Sequence, residues 1–202
     1  MTSSTQELLA ARPDFAAVAR WVSPGARVLD LGCGDGALLR YLWQAREAPG
    51  YGVEIHDAKV VACVGNDINV LQLDLESGLS LFQDDSFDTV ILSETLQTIH
   101  RIEQLLREML RVGREAIVSF PNFGHWSARL QVLLGRMPIS AALPYKWYNT
   151  PNVHLCTSAD FEDLCRELGI SIRERLALRE GRRVSFLPNL FGSIAVYRCA
   201  MV

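Results

Sequence analysis

The sequence predicts a single α/β domain whose mainly parallel sheet is covered by helices on both faces. Three observations carry this. Between residues 27 and 120, short apolar runs of strand length alternate with segments whose apolar residues recur at helical spacing. At one junction, Val28-Leu29-Asp30-Leu31-Gly32-Cys33-Gly34-Asp35-Gly36, an apolar run ends in a glycine-rich turn that enters a helix-compatible stretch. With 202 residues, 49% of them hydrophobic, the chain is long and apolar enough to bury one sizeable core. Parallel strands need crossover connections, so alternation of this kind places helices on both faces.

The elements follow in order. A first helix is expected over 13–22, with Pro13 in its first turn and Pro24-Gly25 as its end. Residues 27–31 read as a strand and 37–44 as a helix. A second strand spans 51–55, followed by a short helix over 57–64 with Asp57 as its N-cap. Residues 70–74 form a third strand. Asp84-Asp85-Ser86 turns the chain into the fourth, 87–92. Ile102, Leu105, Leu106, Met109 and Leu110 then fall on one face of a helix over 101–111, and 116–120 is the fifth strand. From 122 to 158 the pattern lapses apart from a helix at 127–134; Pro138, Pro144 and Pro151 interrupt a stretch that concentrates Phe123, Trp126, Tyr145, Trp147 and Tyr148. Order returns with a helix over 158–168, capped by Ser158 and stopped by Gly169. Strands over 170–175 and 193–199 close the chain, joined by the polar segment Arg179-Glu180-Gly181-Arg182-Arg183. No repeat or linker divides residues 1–202.

The glycine turn carries the chemistry. Three glycines at alternate positions let the backbone turn sharply and approach a ligand with no Cβ in the way, at the strand ends where open α/β sheets bind nucleotide-like molecules. Gly32, Gly34 and Ala37 also satisfy the dinucleotide pattern. Asp30 and Asp35 oppose that reading, because a pyrophosphate would face two negative charges. S-adenosylmethionine offers these acids a sulfonium and an ammonium, and its carboxylate can meet backbone N–H groups. Glu54, 24 residues beyond Asp30, can accept ribose hydroxyls, although the same spacing serves NAD. An NAD-type protein is therefore the alternative that Asp35 disfavours.

Composition narrows the class. Twenty basic against 23 acidic residues leave a net charge of −3, which argues against a dedicated nucleic-acid binder. No apolar run approaches the ~18 residues of a spanning helix, and residues 1–6 lack a signal-peptide layout, so the expectation is a soluble, cytoplasmic chain that meets no membrane. Five scattered cysteines without C-x-x-C pairs point to reduced thiols. His154-x-Cys156 has no matching second pair, so no metal site is assigned.

Taken together, the glycine loop, Glu54, Asp74 and the 87–92 strand resemble the class I S-adenosylmethionine-dependent methyltransferase fold, a Rossmann-like three-layer sandwich. A narrower resemblance rests on Ser119-Phe120-Pro121-Asn122-Phe123-Gly124-His125-Trp126, Gly135-Arg136-Met137-Pro138, the run from Leu143-Pro144-Tyr145-Lys146-Trp147-Tyr148 to His154-Leu155-Cys156, and Glu108-Met109-Leu110-Arg111-Val112-Gly113. These stretches are similar to the methionine biosynthesis protein W family, MetW. The fold resemblance implies seven strands with the last antiparallel, and S-adenosylmethionine or S-adenosylhomocysteine as ligand. The family resemblance implies a role in methionine biosynthesis beside homoserine O-acyltransferase. It does not settle whether the chain is an enzyme.

The expected cofactor residues are Asp30, Gly32, Cys33, Gly34 and Gly36 in the loop, with Cys33 a small filler that contributes its backbone N–H. Glu54 is expected at the ribose. The fold further implies Asp74 and Leu75 at the adenine, with Ser93 and Glu94 flooring the pocket near the reactive methyl; Glu94 has the alternative of pairing with an arginine. Methyl transfer chiefly needs alignment, with a base where the acceptor carries a proton. His100, His125, Tyr148 and His154 are candidates without a diagnostic partner, so no catalytic residue is assigned. The aromatic segment 122–158 reads as a lid over an acceptor pocket, a docking surface or an irregular extension packed on its own domain, and the family resemblance favours docking.

Overall fold

Residues 8–141 and 143–201 are described in the computed structural model of the protein. Residues 1–6, read above for the absence of a leader pattern, lie outside the described residues.

Among the described residues, eight strands form one sheet: β1 (Val28–Leu31), β2 (Gly50–Glu54), β3 (Val70–Gln72), β4 (Phe87–Ser93), β5 (Gly113–Pro121), β6 (Ile170–Arg179), β7 (Arg182–Val184) and β8 (Ile194–Met201). Their order across the sheet is β3-β2-β1-β4-β5-β8-β6-β7. Pairing is parallel from β3 to β5, and β8 enters antiparallel between β5 and β6. The antiparallel last strand matches the expected fold. The eighth strand is an addition: β7 pairs antiparallel with β6 in the segment read as a polar connection. Its turn is the two-residue loop Glu180-Gly181, both at positive φ, 50° and 74°, the backbone that tight hairpins demand. Glu-Gly is a weaker sequence signal for that turn than Asn-Gly, so little in the local sequence marks the hairpin.

The central strands send alternate residues to opposite faces, and each face has its own core. Leu29, Leu31, Val90, Leu92, Val118 and Phe120 pack on one side with α4 (Ile102–Val112) and α6 (Ser158–Glu167). Val28, Ile91, Ile117 and Val196 pack on the other with α1 (Asp14–Trp21), α2 (Ala37–Arg46) and Cys63 of α3 (Asp57–Gly65). Strands buried on both faces read as continuous apolar runs, so β1, β4 and β5 were visible in the sequence. Two further helices, α5 (Trp126–Leu133) and the short α7 (Pro188–Phe191), flank the open end.

Two caps differ from expectation. Asp57 is the first residue of α3 rather than its cap, which falls on His56. Thr157, not Ser158, caps α6: its hydroxyl accepts from the Asp160 N–H while the Asp160 carboxylate accepts from the Thr157 N–H. Ser158 instead donates its N–H to Asn122 Oδ1. All five cysteines are free, and among the described residues no helix is long and apolar enough to cross a membrane.

Candidate functional site

The strand order reverses between β1 and β4, and ligands of open α/β sheets bind outside the carboxyl ends at such a point. A cavity of about 1270 Å³ lies there, walled in part by Gly32, Glu54, Asp74, Leu75 and Glu94. Five of the ten expected cofactor residues therefore meet at one cavity. The other five, Asp30, Cys33, Gly34, Gly36 and Ser93, do not line it.

The loop is built by its glycines. Gly32, Gly34 and Gly36 stand at φ of 73°, 62° and 78°, a region hostile to residues with a Cβ. A Cβ on Gly32 would lie 2.5 Å from the Thr95 hydroxyl oxygen, and one on Gly36 would lie 2.7 Å from the Ile68 side chain. The N–H groups of Gly32 and Cys33 both donate to the Val53 carbonyl at 2.8 and 3.0 Å. The Cys33 N–H is thus committed to the fold and is not free for a ligand, contrary to expectation. Asp35 is exposed and accepts from the Ala37 N–H at the start of α2.

The acids differ in how the protein holds them. Glu54 is buried at the end of β2. Its Oε1 accepts from the N–H groups of Ile55 and His56 and pairs with His56 Nδ1, while Oε2 accepts from the Gly34 N–H at 3.1 Å. Burial pushes this carboxyl up, but the His56 and Ile55 bonds and the charge of Lys59 outweigh it and hold Glu54 below the usual carboxylate range. Asp30, 2% exposed, accepts no hydrogen bond among the described residues; burial lifts its pKa to about 7, with Arg12 opposing. Glu94 sits at φ 50°, a strained conformation for glutamate. Burial raises its pKa too, opposed by Arg12, whose Nε lies 3.6 Å from its Oε2. Asp74 both walls the cavity and caps the 3-10 turn Leu75–Ser77 by accepting from the Glu76 N–H at 2.9 Å.

Ser93 departs from the expected pocket floor. Its hydroxyl donates to Asp14 Oδ2 at 2.6 Å and accepts from Arg12 Nη2 at 2.6 Å, with Ser119 Oγ 3.1 Å away. These partners consume it. Arg12 and Asp14 escaped sequence reasoning because they precede and open an ordinary amphipathic helix, and only the fold carries them to the ends of β4 and β5. Asn122 was missed for a similar reason. This buried amide donates to the carbonyls of Asn189 and Gly192 and accepts from the N–H groups of Gly124 and Ser158.

Comparison with known proteins now decides the family. The profile described as methionine biosynthesis protein MetW matches residues 12–199. The chain belongs to the MetW family. Its methionine-biosynthesis assignment follows from that membership. A curated relative from Rhodopirellula baltica, the bifunctional methionine biosynthesis protein MetXA/MetW, is 40% identical over 189 residues, covering 87% of this chain. The chain spans 30% of that relative's length. Among solved structures, an S-adenosylmethionine-dependent methyltransferase from Mesorhizobium loti aligns over 95% of this chain and 99% of its own, with TM-score 0.70 and 16% identity. Another from Aquifex aeolicus covers 99% and 98%, with TM-score 0.67 and 14% identity. At those identities the likeness shows the methyltransferase fold alone.

In this MetW-family chain the segment after β5 faces two ways. It is tied back by the N–H groups of Val153 and His154, which donate to the Gln97 carbonyl, and by Phe123, which donates to Cys156. Pro138, Ile139 and Tyr145 wall the cavity, whereas Leu133, Trp147 and Tyr148 are 82, 73 and 63% exposed. Of the four candidate bases, His100 and His125 line the cavity and Tyr148 and His154 do not. His100 pairs with Glu76, and His125 Nδ1 pairs with Ser127 Oγ at 2.8 Å. Burial, with the charge of Arg179, lowers the His125 pKa.

Proposed function

We propose that this chain holds S-adenosylmethionine in the cavity at the ends of β1 to β4 and serves as an accessory or regulatory partner of homoserine O-acyltransferase, docking through the outward face of 122–158. The observation that carries the partner is the relative in which MetXA and MetW form one polypeptide. Fusion fixes two modules at high effective concentration, an arrangement that favours modules that work in contact. The exposed Leu133, Trp147 and Tyr148 supply the aromatic and apolar side chains that interface cores favour.

Three features support the cofactor. The loop glycines make a cradle in which a Cβ on Gly34 would meet nothing within 4 Å. Glu54 Oε2 accepts one hydrogen bond and retains capacity for a ribose hydroxyl, while Oε1 is saturated. Asp30 is a buried acid without a hydrogen-bond partner among the described residues, suited to a ligand that brings positive charge. Asp74 and Leu75 flank the adenine, and Glu94 stands beside the sulfonium end. Gly32, Gly34 and Gly36 shape the loop; Cys33 fills space beneath it, and Ser93 acts through Asp14. When bound, S-adenosylmethionine supplies a methyl group on a sulfonium. For a sensor, its affinity must differ between the free chain and the complex, since equal affinities shift nothing.

Homoserine acylation by the purified acyltransferase, measured with and without this chain at fixed S-adenosylmethionine, tests the reading. A changed rate with co-elution supports it; unchanged rate and no association overturn it. One observation favours a second reading. The cavity of about 1270 Å³ exceeds the ~300–1,000 Å³ of usual ligand pockets, leaving room for a small methyl acceptor beside the cofactor. S-adenosylhomocysteine formed with a defined acceptor would establish that methyltransferase activity.

A further inference from the structure

The segment that leads into α1 is part of the cavity. Ala10, Ala11 and Pro13 stand in the same wall as Gly32 and Glu94. Its two ends are held differently. At the α1 end, Asp14 is wholly buried and takes the hydroxyls of Ser93 and Ser119 at 2.6 and 3.0 Å. Arg12 grips the same carboxylate through two donors, Nε at 3.1 Å and Nη2 at 2.9 Å, the bidentate geometry that makes such pairs strong. Its guanidinium also lies 4.4 Å over the Phe15 ring. On the cavity side the hold is light. Arg12 reaches Glu94 at 3.6 Å with both side chains about three-tenths exposed, and Leu8 and Leu9 are only partly buried on the core. Between the two ends, Ala10 and Ala11 are exposed and carry no bulk beyond Cβ. Pro13 meets the β6–β7 hairpin, since a Cβ on Gly181 would lie 3.5 Å from its own Cβ. The added hairpin and the segment thus complete one side of the cavity, where Arg179 and Glu180 also line it.

We propose that residues 8–14 are a strap that settles onto the bound ligand, with Asp14 as its fixed point and Arg12 as the positioning residue that ties it to Glu94. The proposal rests on reading the cavity as an S-adenosylmethionine site. A ligand beside Glu94 and Gly32 buries Ala10, Ala11 and Pro13, and these contacts exist in the closed strap alone. Binding therefore favours closure, and release requires the strap to lift. Neither Arg12 nor Asp14 acts on the ligand directly. Ser93 and Ser119, at the ends of β4 and β5, transmit the position of the sheet to the strap.

Hydrogen–deuterium exchange of the full chain with and without S-adenosylmethionine tests this, together with the ligand's dissociation rate. The expected result is slowed exchange of residues 8–14 on binding, about fivefold or more. Arg12→Gln is expected to speed dissociation about tenfold, and it also lowers the melting temperature without ligand, because the buried Asp14 carboxylate loses its cation. Should Arg12→Gln fold poorly, Ser93→Ala weakens the same anchor without removing a charge, with the same expected direction. If the wild-type chain binds the ligand but exchange at 8–14 is unchanged and the variants dissociate at the wild-type rate, the strap is overturned and the cofactor reading stands. If the wild-type chain binds no S-adenosylmethionine, both fall.

Discussion

Asp30 stands one residue before the end of β1, where the sheet hides it from water, and a carboxylate there is poorly placed for a stable fold. Its pKa of about 7 against an ordinary 3.8 means that the folded chain holds this proton more tightly than the unfolded chain does. The associated stability is fully present below pH ~4 and is lost as pH rises through about 7, on the order of 4 kcal/mol at the alkaline end. Asp30→Asn is therefore expected to melt higher than wild type at pH 8, with the gap closing toward pH 4, when both are scanned without ligand. The same variant is expected to bind S-adenosylmethionine more weakly by calorimetry. Higher stability together with weaker binding in that variant would be the trade expected at strained functional sites. Glu94 at positive φ belongs to the same class.

Two elements owe their position to local polar side chains. Asn122 bridges the end of β5 to α6 and α7 through four hydrogen bonds. Asn122→Ala leaves buried N–H and carbonyl groups without partners, so a loss of about 2–4 kcal/mol in urea unfolding is expected. The capping box of α6 is more modest. Thr157→Ala is expected to lose about 1 kcal/mol and to leave ligand affinity unchanged, because the box sits at a helix end away from the cavity wall. The β6–β7 hairpin shows how an element can escape a pattern search. The strand expected over 170–175 runs on to Arg179, and β7 is three residues long with Arg182 and Arg183 exposed, so no apolar alternation marks the returning strand.

At the scale of the molecule, the 122–158 segment is both a wall of the cavity and an exposed aromatic surface, and these roles can be separated. Trp147 and Tyr148 meet edge to face and are largely exposed. The double variant Trp147→Ala/Tyr148→Ala is expected to change unfolding free energy by less than ~0.5 kcal/mol. It is also expected to abolish co-elution with the acyltransferase while ligand binding persists. Burial on both sheet faces wrote β1, β4 and β5 as apolar runs, and the helical period of α4 was equally plain, so the sequence alone determined the α/β class and the order of its elements as far as β5. It also determined the glycine loop, because positive φ at Gly32, Gly34 and Gly36 leaves few other residues admissible, and it marked Glu54 by its place at a strand end, whereas Asp74 and Glu94 came with the fold resemblance. The rest depended on long-range contacts. Arg12 and Asp14 meet Ser93 and Ser119 across about 80 to 105 residues of sequence, and no local pattern encodes that separation. Tertiary structure alone turned Ser93 from an expected pocket floor into an anchor, committed the Cys33 N–H to Val53, and brought the N-terminal strap and the added hairpin to the same cavity. Propensity and periodicity act over a few residues, whereas the partner that satisfies a buried polar group is chosen by the packing of the whole chain.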